Sequence, residues 1–375
     1  MTGRRAGLLS IALPLGAAAV LARLAWRYSD QLLRLPAAGA PRYPIRPLAV
    51  DGERVRLPRT EETERPGVWG LEWEGGFARL GRTLATAPTE VERALEPIRG
   101  TLAAGQPARM TLFAYPGDPA EALGIAFEEI TLPSELGPLP AWLVPGRRRS
   151  WAIMVHGWGS SRREALRLLP TISGLGLPAL VIALRNDPGA PAAPDRLCRL
   201  GGVEWRDLEA AAAHAVSRGA EDLLLVGYSM GGAVVCSFLR RSPLARHARA
   251  AILDAPVLDW RATLAQIARR RQVPAVVAGA ARLVARRRTG VPWGELDQVA
   301  HAAALRVPIL LIHGDADRTV PVGPSDRLAA ARPDLVSYKR LPGVPHAAAW
   351  NSDPERYGAW VVEFLARALP DPAAG

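Results

Sequence analysis

The sequence predicts an α/β protein: a doubly wound, mostly parallel sheet with a helical lid, preceded by a small β-rich domain and an N-terminal hydrophobic helix. Three observations carry this. From about residue 126 onward, short apolar runs at 151–155, 179–184, 223–226, 250–253 and 308–312 alternate with helical segments of ten or more residues. Residues 28–125 are instead rich in Pro and Gly, with apolar runs broken by turn signals. At the N-terminus, an uncharged apolar run of 17 residues spans 6–22.

Length and composition agree with a globular chain. A chain of 375 residues, 49% hydrophobic and 22% charged, can bury a sizeable core without metals or disulfides. The mean hydropathy of +0.04 excludes a mainly disordered chain and a polytopic membrane protein. Two cysteines, Cys198 and Cys236, cannot form a disulfide framework or a four-thiolate zinc site. The formal charge of +11 is almost all arginine, Lys339 being the only lysine. No helix-turn-helix, zinc or aromatic nucleic-acid motif accompanies it, so nucleic acid is not expected as a partner.

Taken in order, residues 1–27 read as a membrane anchor or a signal segment. The run 6–22 extends about 25 Å as a helix, just short of a hydrocarbon core, and needs its flanks to span. Arg23 can snorkel while Leu24, Ala25 and Trp26 lengthen the stretch. A single-pass anchor is the leading expectation; signal cleavage, with Ala17–Ala19 as a small-residue site, and a soluble helix are its rivals. Arginines on both sides leave orientation open. Within the β-rich domain, residues 68–73 followed by Glu74, Gly75 and Gly76 form a hairpin-like signal. That domain contains no histidine and no recognisable paired chemistry.

The runs from 126 onward are apolar without alternation, which indicates strands buried on both faces. Residues 203–218 illustrate the helices between them, with Leu208, Ala211, Ala212 and Ala215 at helical spacing and Gly219 placed to end the helix. In such sheets ligands bind at the carboxyl ends of the strands, so the residues just past each strand are the place to seek chemistry.

After 223–226 comes Gly227-Tyr228-Ser229-Met230-Gly231, a G-x-S-x-G turn between a strand and a helix. It holds a serine on a sharp bend, with glycines where side chains would collide. A serine hydroxyl needs a base to take its proton, and the base needs an acid to fix its tautomer. Of six histidines, His156 and His313 belong to strands, His214 and His247 lie in or beside helices, and His301 precedes the last core strand. His346, in a loop between the expected strand 335–341 and the final helix, is left as the base. The acid is expected after a strand, between serine and histidine in chain order. Asp315 and Asp317 follow 308–312, and Asp254, one strand earlier, is an alternative. His313, Asp315 and Asp317 also read as metal ligands, but no second cluster completes a site.

These motifs resemble the α/β-hydrolase superfamily over about residues 126–370. The resemblance implies a serine hydrolase with no metal or organic cofactor. Its G-x-x-D spacing followed by V-P maps the acid onto Asp317 and leaves Asp315 to the turn. His156-Gly157-Trp158-Gly159 resembles the family's H-G-x-G segment, which implies an oxyanion hole formed by the N–H groups of Trp158 and Met230. Trp158 and Tyr228 line the pocket or serve as packing. Ser161 and Glu164 read as a capping box. Residues 185–191 either wall the site or form a plain turn. His346-Ala347-Ala348-Ala349-Trp350-Asn351 is similar to the serine aminopeptidase-like and prolyl-oligopeptidase-like branches.

The resemblance implies a helical lid in the insertion between Asp254 and the acid strand, about 258–302, and 260–294 within it carries eight arginines and no acidic residue. It reads as a surface for an anionic membrane or an acidic substrate, or as a solvated face. The expected reaction is cleavage of a carboxylic ester of a small-molecule or lipid-like acyl substrate. A serine peptidase or amidase is the second expectation, and a catalytically silent membrane-tethered binding protein the third.

Overall fold

The computed structural model describes residues 5–36 and 42–369; the side chains of 5–15 fall outside that description. The chain opens with α1 (Arg5–Leu33) and then builds two sheets. In the first, β1 (Ala49–Asp51), β2 (Arg54–Pro58), β3 (Trp69–Trp73), β4 (Gly76–Thr86), β5 (Glu90–Arg99) and β6 (Ala108–Thr111) pair antiparallel in the order β1-β2-β5-β4-β3-β6. The hairpin signal becomes β3 and β4, joined by Glu74 and Gly75, with Trp73 opposite Gly76. One face of the sheet is apolar, through Val55, Leu57, Leu71, Leu80, Val91 and Leu95. Arg93 is buried among them. Its guanidinium donates to the carbonyls of Gly81, Thr63, Arg65 and Gly67, which ties the 63–67 loop to the sheet. Burial lowers its pKa to about 10.

A short helix, α2 (Pro119–Leu123), leads into the second sheet. Its strands are β7 (Glu128–Ser134), β8 (Gly137–Val144), β9 (Ser150–Val155), β10 (Ala179–Ile182), β11 (Asp222–Tyr228), β12 (Ala248–Asp254), β13 (Ile309–Gly314) and β14 (Val336–Leu341). The order is β14-β13-β12-β11-β9-β10-β8-β7, and β8 alone runs against the others. Successive residues of the central strands feed opposite cores. Ile153, Leu180, Leu225 and Leu253 pack with α4 (Trp205–Ser217) and α5 (Met230–Arg241). Met154, Val181, Val226 and Ile252 pack on the other face, where α3 (Leu169–Gly174) and α10 (Pro354–Ala368) lie. Two covered faces explain why these runs show no polar alternation. Cys198 and Cys236 are buried and free.

Between β12 and β13, α6 (Trp260–Arg270) and α7 (Ala275–Thr289) occupy the expected lid region. α8 (Gly323–Ala331) joins β13 to β14, and the single turn α9 (Ala349–Ser352) precedes α10.

Among the described residues no helix is long and apolar enough to cross a membrane. The first part of the run 6–22 lies outside the described side chains. The rest of α1 is charged at Arg23, Arg27 and Asp30, and it continues to Leu33, so the boundary drawn at residue 27 falls inside a helix. Ala25, Ser29 and Leu33, four residues apart, form its buried stripe. Asp30 Oδ1 accepts from Arg288 of α7 at 2.6 Å, and Ser29 Oγ from the same guanidinium at 3.0 Å. The eight-arginine run is therefore not uniformly solvated: Arg270 and Arg271 also donate, to Arg318 O and Gln31 Oε1.

Candidate active site

The site begins at the bend between β11 and α5. Ser229 has φ 51 and ψ −114, a left-handed conformation that non-glycine residues adopt at a cost. Its neighbours hold it there. Ser229 N donates to Asp254 O at 2.9 Å, and Ser229 O accepts from Val257 N at 2.9 Å and Gly232 N at 3.0 Å. The flanking glycines are required by space: a β-carbon on Gly227 would collide with the Gly231 carbonyl, and one on Gly231 with the Val155 carbonyl.

The loop after β14 brings His346 over this serine. His346 Nε2 lies 3.0 Å from Ser229 Oγ, and its Nδ1 lies 2.6 Å from Asp317 Oδ2. Asp317 sits in the turn after β13, with Oδ1 accepting from the amides of Thr319 and Val320 at 2.7 and 2.8 Å. Burial works against its charge, but hydrogen bonds from His313 and His346 bring the pKa down to about 2. For His346, burial opposes the imidazolium, yet the bond to Asp317 outweighs it and lifts the pKa above the ordinary imidazole value. The hydroxyl, imidazole and carboxylate thus form one continuous relay from residues 117 and 29 positions apart in the chain.

The other expected residues are resolved by their contacts. Asp254, the alternative acid, accepts from Tyr357 Oη at 3.2 Å and does not bond to His346. Burial raises its pKa to about 6. Asp315 does not bond within its own turn; Oδ1 accepts from Gly343 N at 2.8 Å, which steadies the loop that carries His346. The reading of His313, Asp315 and Asp317 as metal ligands fails because Asp315 turns to this loop while Asp317 is shared between His313 and His346.

Gly157 brings the loop after β9 against Ser229, so close that an added β-carbon would lie 3.0 Å from Ser229 Cβ. Trp158, the next residue, lines the cavity in front of Ser229. Met230 supplies the first amide of α5, where a helix has unsatisfied donors. Tyr228 is a packing residue, buried beneath Arg167 with the guanidinium 5.4 Å from the ring centre. The capping box is corrected: Ser161 makes no side-chain cap, because Glu164 Oε2 accepts from Gly157 N at 2.8 Å. Residues 185–191 form a turn outside the cavity lining, with Asp187 Oδ2 bonded to His156 Nε2 at 2.7 Å.

The roles of two residues escaped the sequence reading. His313 is a second imidazole on Asp317, its Nε2 3.2 Å from Oδ2, and its four-residue spacing to Asp317 was the available signal. Arg167 reaches Ala347 O at 2.7 Å and Asn351 Oδ1 at 2.8 Å, bracing the loop just past His346.

A model of the prolyl oligopeptidase family matches residues 198–369, which include Ser229, Asp317 and His346. An esterase of Pyrococcus furiosus superposes with a TM-score of 0.56 at 18% identity, over 68% of this chain and 95% of that one. The chain has the α/β-hydrolase fold. A puromycin-hydrolysing peptidase of Mycobacterium tuberculosis shares this α/β-hydrolase fold, with a TM-score of 0.55 at 20% identity over 90% of this chain. The chain spans about half of that peptidase, 55% of its length. Residues 46–111, the antiparallel sheet in front of the α/β-hydrolase sheet, match a domain family of unknown function. No curated protein matches the chain in sequence.

Proposed function

We propose that the protein is a serine hydrolase that cleaves a carboxylic ester through an acyl-enzyme. The observation that carries this is the relay itself: Ser229 Oγ, His346 and Asp317 joined by hydrogen bonds of 3.0 and 2.6 Å, with Ser229 and His346 lining a cavity. His346 Nε2 takes the proton of Ser229 as its oxygen attacks the carbonyl carbon. Asp317 holds the Nδ1–H tautomer and stabilises the imidazolium that forms. The amides of Trp158 and Met230 receive the oxyanion, and His346 returns the proton to the departing alcohol. A water activated in the same way by His346 then attacks the acyl carbon and frees Ser229.

Ester chemistry is favoured because among the described residues no carboxylate lines the cavity to hold an ammonium group of a peptide; its walls are mainly apolar. The match to the prolyl oligopeptidase family supports a second reading, amide or peptide cleavage by the same relay. Labelling with a fluorophosphonate tests the nucleophile: the protein reacts, and Ser229→Ala abolishes the reaction. A labelled Ser229→Ala variant, or an unreactive native protein, rejects the mechanism and leaves a binding protein. Turnover of the ester and the amide of one acyl group then separates the two hydrolase readings.

A further inference from the structure

The cavity in front of Ser229 encloses about 280 Å³, near the lower end for small-molecule sites. Its floor holds Ser229 and His346, and the expected lid supplies two walls, including Leu264 and Ile267 of α6 with Ala278 and Ala281 of α7. A further wall comes from near the start of the chain, since Tyr28 and Leu32 of α1 face the same space. They lie four residues apart and one position before the buried stripe Ser29 and Leu33, so one helix face docks on the protein while the adjacent face looks into the cavity. The docking is specific, through Asp30 and Ser29 to Arg288, Gln31 to Arg271, and Cys198 N to Leu33 O at 2.7 Å.

We infer that α1 completes a pocket for the aliphatic acyl chain of the substrate, with Leu32 and Ala281 as specificity-determining residues on facing helices. This rests on the ester-hydrolase reading above and names its substrate class. The acyl half stays joined to Ser229 through both steps while the alcohol leaves, so fixed apolar walls serve the half that must be retained. An apolar enclosure rewards each added methylene until the chain outgrows it.

The test is a series of p-nitrophenyl esters from acetate to dodecanoate, in which only the acyl chain varies, measured on the full chain. In the native protein kcat/KM is expected to rise about fourfold per buried methylene, peak at a medium length and fall beyond it. Leu32→Trp and Ala281→Phe fill the pocket from either side, and each is expected to lower the octanoate-to-acetate ratio of kcat/KM about tenfold or more. A native profile that is flat or falls from acetate onward overturns the inference without any variant. So does a rising profile whose ratio neither substitution alters. Failure of the hydrolase reading looks different: ester turnover is then absent, or survives Ser229→Ala.

Discussion

At the residue scale, the proposed chemistry depends on which carboxylate faces His346, and two were available in chain order. Asp317 touches its Nδ1; Asp254 faces Tyr357 instead. Asp317→Asn is therefore expected to cut kcat by about 10⁴, whereas Asp254→Asn changes it about tenfold at most. The pH profile adds a signed test. His346 acts as a base only when neutral, and Asp317 lifts its pKa, so the acid limb of kcat/KM falls above the ordinary imidazole value of about 6.5. Removing the carboxylate destabilises the imidazolium, so in Asp317→Asn the limb moves to lower pH as the plateau drops. A limb that stays in place, read from kcat/KM between pH 5 and about 9, contradicts the assignment. Ser229 and His346 were legible because each follows a strand beside Gly or Pro signals. His313 was not, because a histidine inside a strand looks like core until Asp317 is seen to curl back onto it.

At the element scale, legibility followed burial. The central residues of β9 to β13 are apolar because helices cover both faces, and each stood out as a run without alternation. β7 and β8 went unread, because Pro133, Pro138 and Pro140 argue against a strand: Pro133 is tolerated on the edge strand β7, and Pro138 and Pro140 lie before Ala141, where the pairing of β8 with β10 begins. The docking of α1 on the protein went unread for the opposite reason. An apolar helix presents one pattern whether lipid or protein covers it, and the contact of Asp30 with an arginine 258 positions later has no local signal. The most demanding junction is between β11 and α5, where Gly231 crosses the end of β9. Gly231→Ala forces its methyl group into the Val155 carbonyl, a backbone atom that cannot swing aside. The expected cost is about 3 kcal/mol or more, seen as a lower thermal midpoint together with lost hydrolase activity. An unchanged midpoint contradicts the packing described for the bend.

At the scale of the whole molecule, the two sheets meet at the loop that carries His346. Arg93 pins the 63–67 loop to the first sheet; Gly67 then lies against the Asn351 backbone, and Val68 N donates to Asn351 O at 2.7 Å. The Asn351 side chain donates to Val68 O and Leu112 O at 2.7 and 3.0 Å, and its oxygen accepts from Arg167, which also holds Ala347 O. One amide thus joins the appended sheet to a buried cation and, through it, to the residue following His346. In sequence, Asn351 was visible only as the end of a motif, because its partners lie 283, 239 and 184 residues away. Asn351→Ala leaves two carbonyls and part of a buried guanidinium without partners, each costing about 1–3 kcal/mol. A residue that positions the imidazole, without touching substrate, affects turnover more than binding. For Asn351→Ala, kcat is therefore expected to fall about tenfold while KM stays within about twofold, with a lower thermal midpoint. Asn351→Asp keeps the acceptor for Arg167 but replaces the donor to Val68 and Leu112 with a carboxylate oxygen. If the asparagine acts by joining the sheets, this variant loses stability as well; native stability and turnover in Asn351→Asp would place the whole effect on Arg167.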